Sequence, residues 1–115
     1  MENRKKVRPK AIEGLTEMVD TGCGHLYVTV NFVENKPFEI FARLGKVGSC
    51  GYCQMEALTR AISRGLRYDV PIDEYIKQLE EIKCPSSTIS NGEKIMSCAD
   101  AIAKVLKKHI KNDNK

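Results

Sequence analysis

From Leu26 to Leu44 the chain alternates. Leu26, Val28, Val30 and Phe32 fall on one side of a period of two, with Tyr27, Thr29 and Asn31 on the other. After Glu34-Asn35-Lys36-Pro37, Phe38, Ile40, Ala42 and Leu44 alternate with Glu39, Phe41 and Arg43. Alternation in residues rich in β-formers predicts two strands, and the short polar stretch between them reads as a turn. The pair is a β-hairpin with one buried face. Leu15 to Asp20 alternates more weakly and reads as a short third strand.

From Cys50 the period lengthens. Met55, Leu58, Ile62 and Leu66 recur at helical spacing, with Arg60, Arg64 and Arg67 on the polar side. Gly65 marks a close packing contact or the approach of the helix end. Pro71, followed by Asp73 and Glu74, starts a second helix with Ile72, Tyr75, Ile76, Leu79 and Ile82 along one face. Cys84-Pro85-Ser86-Ser87 stops it, and Ser90-Asn91-Gly92 is a turn. Ser97 with Asp100 three residues on is an acidic variant of the capping box. It opens a third helix whose buried stripe is Ile102, Val105, Leu106 and Ile110. The expected fold is α+β: a small antiparallel sheet, the hairpin plus a third strand, with three helices on its apolar face and cysteines at element boundaries.

At 115 residues this is one domain, near the size where a metal or disulfide staple adds useful stability. Residues 1–12 read as a basic flexible leader, 13–110 as the folded domain and 111–115 as a disordered basic tail. No run of apolar residues approaches a membrane span, and Met1 to Lys10 lacks the apolar core of a secretory signal. The expected setting is cytoplasmic, where cysteines serve as ligands or redox groups rather than disulfides. Charge is uneven: the first ten and the last twelve residues each sum to +4, leaving 11–103 at −4. Basic ends around a mildly acidic body read as solvated ends. They disfavour a nucleic-acid partner, which calls for a basic face on the fold itself. A homodimer is compatible with the sequence.

The chemistry lies in the cysteines. Cys23, Cys50, Cys53, Cys84 and Cys98 fall at element boundaries, where a space-filling cysteine would more often replace an apolar residue within a stripe. Four boundary thiolates can converge on zinc, and helix N-termini at Cys50 and Cys98 would offset the charge of such a site. Scattered free thiols fit the spacing as well. Cys50-Gly51-Tyr52-Cys53 alone has the form of a redox dithiol at a helix start, though no βαβ unit precedes it. His25 is a further candidate ligand, more simply read as a surface residue, and His109 as a favourable charge at a helix C-terminus. Gly45-Lys46-Val47-Gly48-Ser49 has the look of a phosphate-binding nest but lacks a P-loop ending. Together with Arg60, Arg64 and Arg67 of the first helix and the basic ends, it suggests a nucleotide- or nucleic-acid-binding alternative. No Ser/His/Asp or Cys/His pair supports nucleophilic catalysis, and the carboxylates read as solvated helix faces.

Several strings resemble the TSCPD domain family. They are Thr21-Gly22-Cys23-Gly24, Leu26 to Asn31, Pro37 to Phe41, Leu44-Gly45-Lys46, Glu56 to Arg60, Gln78-Leu79, Ile82 to Pro85 and Ser97 to Ala103. The resemblance runs from about Arg8 to Lys107. The family's name-giving motif falls on Ser97 to Asp100, with Ala99 in place of proline, a loss that should soften the first turn of the third helix. Such domains sit near the C-terminus of adenosylcobalamin-dependent (class II) ribonucleotide reductases and occur as small stand-alone proteins. The resemblance implies an accessory module linked to deoxyribonucleotide synthesis, with a reductase catalytic chain as partner. It implies no activity alone, because the catalytic barrel and cobalamin site lie outside such a domain. The family's typical four cysteines match Cys23, Cys50, Cys84 and Cys98, implying a zinc or iron site. Cys53 is extra, and it or His25 could substitute as a ligand.

Overall fold

The computed structural model describes residues 5–45 and 48–110. Strands β1 (Glu13–Thr21), β2 (Gly24–Val33) and β3 (Lys36–Leu44) form an antiparallel sheet in the order β1-β2-β3. Leu26, Val28, Val30 and Ile40 on its inner face have no exposed surface. Helices α1 (Cys50–Arg67), α2 (Ile72–Leu79) and α3 (Cys98–His109) follow, with β4 (Thr88–Ser90) and β5 (Glu93–Ile95) paired between α2 and α3. The α+β expectation holds, with two additions and one rearrangement.

The first addition is the length of β1, which pairs with β2 from Glu13 opposite Phe32 to Thr21 opposite Gly24. Its pattern is weak because an inward register position, opposite buried Val28, is taken by Glu17. That carboxylate accepts from His109 Nε2 and Lys108 Nζ of α3, both at 2.6 Å. The second addition is the β4–β5 hairpin, whose turn residues Asn91 and Gly92 take φ of 52° and 80°. Asn-Gly favours that geometry, but strands of three residues with only Ile95 buried carry no readable alternation. The β2–β3 turn is tighter than the expected four residues. Only Glu34 and Asn35 have left-handed backbones, at φ 53° and 65°, and Lys36 and Pro37 already belong to β3. Pro37 is tolerated there because β3 is an edge strand.

The rearrangement concerns the helices. Helix α3 packs on β1, β2 and β5 and α1 runs along β3, while α2 rests mainly on α3 instead of the sheet. Helix α1 also closes the open edge of β3. Ser63 Oγ accepts the Ile40 N–H at 2.9 Å and donates to the Ile40 carbonyl at 2.8 Å, occupying both free backbone groups of that residue. The helix ends in a Schellman turn. Asp69 has φ 68°, its N–H bonds the Leu66 carbonyl, and the Val70 N–H bonds the Gly65 carbonyl, both at 3.1 Å. The Tyr75 hydroxyl packs where a Gly65 Cβ would stand, so this glycine serves both close packing and the helix end.

Two carboxylates are buried: Glu39, expected on a solvated face, and Asp100, expected as a helix cap. Glu39 is 3% exposed and accepts from Arg8 Nε at 2.9 Å and Asn31 Nδ2 at 2.7 Å. Asp100 is fully buried and accepts the Glu81 N–H at 2.6 Å, the Met96 N–H at 2.9 Å and Lys104 Nζ at 2.8 Å. The basic residues read as solvated ends are engaged too: Arg8 with Glu39, Lys104 with Asp100, Lys107 with Glu80 and Lys108 with Glu17. Lys6, also in the leader, pairs with Asp69 at 3.0 Å, and residues 1–4 of the leader and 111–115 of the tail lie outside the described residues. Among the described residues no helix is long and apolar enough to cross a membrane.

Candidate functional site

Three of the sequence's candidate ligands come together beside the β1–β2 turn. Thr21 organises that turn: its Oγ1 accepts the Cys23 N–H at 3.1 Å and donates to the Gly24 carbonyl at 2.8 Å. The Cys98 thiol donates to the same oxygen at 3.6 Å, joining the start of α3 to the turn. Cys84 arrives from the segment after α2, held by its N–H to the Met96 carbonyl at 3.0 Å, two residues before Cys98. Gly22 lies so close to the Ser86 carbonyl that no Cβ fits between them, which presses the turn against the Cys84-Pro85-Ser86 segment.

The electrostatics report the same convergence. Burial pushes the Cys98 thiol above its ordinary value, and the neighbouring Cys23 and Cys84 thiols raise it further against the opposing bond to Thr21. Cys98 thus has two sulfurs for neighbours. All five cysteines are free, with Cys84 and Cys98 half-buried and the others exposed.

Asp100 holds this arrangement from below. One carboxylate oxygen fixes Glu81, which has a left-handed backbone (φ 64°) at the end of α2, and the other fixes Met96. It thereby ties the segment leading to Cys84 to the segment leading to Cys98. The capping box is only half as expected. Ser97 Oγ accepts the Asp100 N–H at 3.0 Å, but the Asp100 carboxylate reaches one residue further back, to Met96. Burial pushes the Asp100 carboxyl up, yet hydrogen bonds from Lys104 and the Glu81 and Met96 N–H groups outweigh it and hold it below the usual carboxylate range. Sequence reading found Asp100 as a capping residue and missed this second role. Its only signal was the charged Lys104 one turn on.

The other candidates stand apart. Cys50 is the first residue of α1, after the N-cap Ser49, whose Oγ accepts the Tyr52 N–H at 3.1 Å. It lies at the same end of the sheet as the trio, where the Gly45 N–H bonds the His25 carbonyl at 2.9 Å. No interaction among the described residues ties it to the three thiols. Cys53 is exposed one turn further along α1. His25 is on the outer face of the sheet with its Nδ1 2.6 Å from Asp20 Oδ1. Among the described residues no group of three or more His, Cys, Asp or Glu side chains is arranged to hold a metal ion. The expected four-cysteine zinc or iron site is not formed among the described residues: Cys23 and Cys84 neighbour Cys98, but even these three are not arranged around an ion. Of the nest at Gly45 to Ser49, Gly48 has φ 86°, and Lys46 and Val47 lie outside the described residues.

The sequence model of the TSCPD domain matches residues 2–110. The chain belongs to the TSCPD domain family. Among curated proteins this TSCPD chain is 30% identical over 80 residues to a vitamin B12-dependent ribonucleotide reductase of Streptantibioticus cattleyicolor, covering 69% of this chain and 13% of that protein. The same identity and length relate it to the vitamin B12-dependent ribonucleotide reductase of Streptomyces coelicolor, with 8% of that protein covered. That of Agrobacterium fabrum is 28% identical over 95 residues, 82% of this chain and 8% of the relative. The chain therefore spans only a small fraction of the curated relatives it matches. No solved structure matches it.

Proposed function

We propose that this TSCPD domain is an accessory module of adenosylcobalamin-dependent ribonucleotide reduction that binds zinc or iron and does not turn over nucleotides alone. The supporting observation is the convergence of Cys23, Cys84 and Cys98 from three separate segments in a domain related to one part of a reductase. Neighbouring thiols from three segments, Cys23 exposed and Cys84 and Cys98 half-buried, suit a thiophilic ion better than they suit a core. Cys50 is the fourth ligand in this reading, brought in from the first turn of α1 when metal binds. The ion would supply a cross-link between the β1–β2 turn, the segment after α2 and the starts of α1 and α3. Helix N-termini at Cys50 and Cys98 would offset the negative charge of four thiolates. The partner is the reductase catalytic chain, which holds the cobalamin.

Cobalt(II) substitution tests the site. Thiolate-to-cobalt charge-transfer absorption should appear in the wild-type chain, vanish in Cys98→Ser and persist in Cys53→Ser. A spectrum unchanged by Cys98→Ser contradicts the proposal. A second reading takes Cys50 and Cys53, exposed one turn apart at a helix start, as a redox dithiol. A reversible disulfide abolished by Cys53→Ser, in protein that binds no cobalt, would favour it.

A further inference from the structure

The polar side of α1 carries an arrangement that the thiol cluster does not use. Arg60, Arg64 and Arg67 face Arg8 across a cavity of about 580 Å3 beside β3, with Glu39 and Phe41 completing its walls. Guanidiniums at this helical spacing repel one another, a cost that the negative end of the helix dipole offsets for Arg64 and Arg67 in the last turn, so the arrangement is tolerated and leaves the cluster cationic. The fold supplies little carboxylate to neutralise it. The Glu39 carboxylate is already taken by Arg8 and Asn31 and has almost no exposed surface. Glu56 reaches Arg60 only at 3.8 Å, and both side chains are largely exposed. Arg67 lies over the Phe38 ring at 4.9 Å, with Nη1 3.5 Å from the Lys6 carbonyl, and forms no ion pair among the described residues. Arg64 is exposed and makes no hydrogen bond or ion pair among them.

The cavity also has an apolar wall. Phe41 is 41% exposed on the outer side of β3, one of few large apolar side chains the fold leaves uncovered. Forked guanidiniums match phosphate oxygens in pairs, and an exposed ring beside them offers a face for a planar base. We propose that this groove binds a nucleoside polyphosphate, its phosphates on Arg60, Arg64 and Arg67 and its base against Phe41. Arg8 serves as the backstop, held in place by Glu39. This site is separate from the thiols and stands whether or not they bind metal.

The test is calorimetric titration of the full chain with each of the four ribonucleoside triphosphates, with pyrophosphate and with adenosine, at about 50 mM and about 200 mM salt. At least one triphosphate should bind saturably, more tightly than pyrophosphate, and weaken as salt rises; adenosine should not bind. Arg64→Ala, which removes a side chain with no hydrogen bond or ion pair among the described residues, should weaken triphosphate binding by about tenfold with little change in thermal unfolding. Phe41→Ser should bring triphosphate affinity down to that of pyrophosphate and leave pyrophosphate binding unchanged. Absence of saturable triphosphate binding at the lower salt, equal binding by pyrophosphate, or indifference to Arg64→Ala would overturn the proposal.

Discussion

Replacing Asp100 by alanine should do more damage than any other single surface-to-core polar change in this domain. The carboxylate is fully buried and accepts two backbone N–H groups and the Lys104 ammonium. Alanine leaves the Glu81 and Met96 N–H groups without an acceptor, each costing about 1–3 kcal/mol where water cannot reach. It also strands Lys104, although that side chain is 23% exposed and can turn outward, so its share is the smaller one. The expected loss is about 3–5 kcal/mol, within the range for breaking a buried charged pair from one side. Against a total of about 5–15 kcal/mol for a domain of this kind, that is a large fraction. With a urea slope of about 1.5 kcal/mol/M, the midpoint should fall by about 2–3 M. Asp100→Asn keeps one acceptor oxygen but turns an amide donor toward the second N–H, so it should lose less than alanine and more than Lys104→Met. Urea titrations followed by circular dichroism give all three midpoints. An Asp100→Ala protein within about 1 kcal/mol of wild type, with an unchanged slope, would refute the claim that this carboxylate joins α2, β5 and α3.

Acid sensitivity should come from the same residue and its counterparts. Asp100, Glu39 and Glu17 are all held below the ordinary carboxylate range, Glu39 chiefly by the Arg8 hydrogen bonds and Glu17 by Lys108 and His109 against its burial. Their stabilisation is full above an unfolded value of about 4 and is lost as pH falls through the lower folded values. The stability gap between wild type and Asp100→Asn should therefore narrow on acidification below about pH 4; a gap constant down to pH 2 would contradict this. Gly22→Ala places a Cβ against the Ser86 carbonyl and should cost about 1–3 kcal/mol while drawing Cys23 away from Cys84. Thermal melts of that variant measure the cost, and a neutral result would show that the two loops separate freely. Ser63→Ala frees both Ile40 backbone groups at the sheet edge and should cost about 1–3 kcal/mol, with faster hydrogen exchange at the Ile40 amide. Unchanged exchange there would show that α1 does not depend on Ser63 to cover the edge.

Local periodicity made the main elements legible: β2 and β3 from alternation, α1 and α3 from their stripes, the β4–β5 turn from Asn91-Gly92. What could not be read depends on partners distant in sequence. Glu17 breaks the pattern of β1 because its partners, Lys108 and His109, lie some ninety residues away. Glu39 looked solvated because Arg8 belongs to a segment read as a leader. Of the candidate site, boundary placement gave the convergence of Cys23, Cys84 and Cys98. It could not distinguish Cys50, which opens a helix just as Cys98 does but stands off the trio. A helix start fixes where a backbone begins, not which neighbours its first side chain meets.

The central claim rests on metal content. Protein purified without added zinc or iron should carry about one metal ion per chain. Removing it should free four thiols in addition to Cys53, and acidification should release it as protons compete for the thiolates. Less than about half an equivalent of metal, with all five thiols titrating freely in the folded chain, would contradict the account.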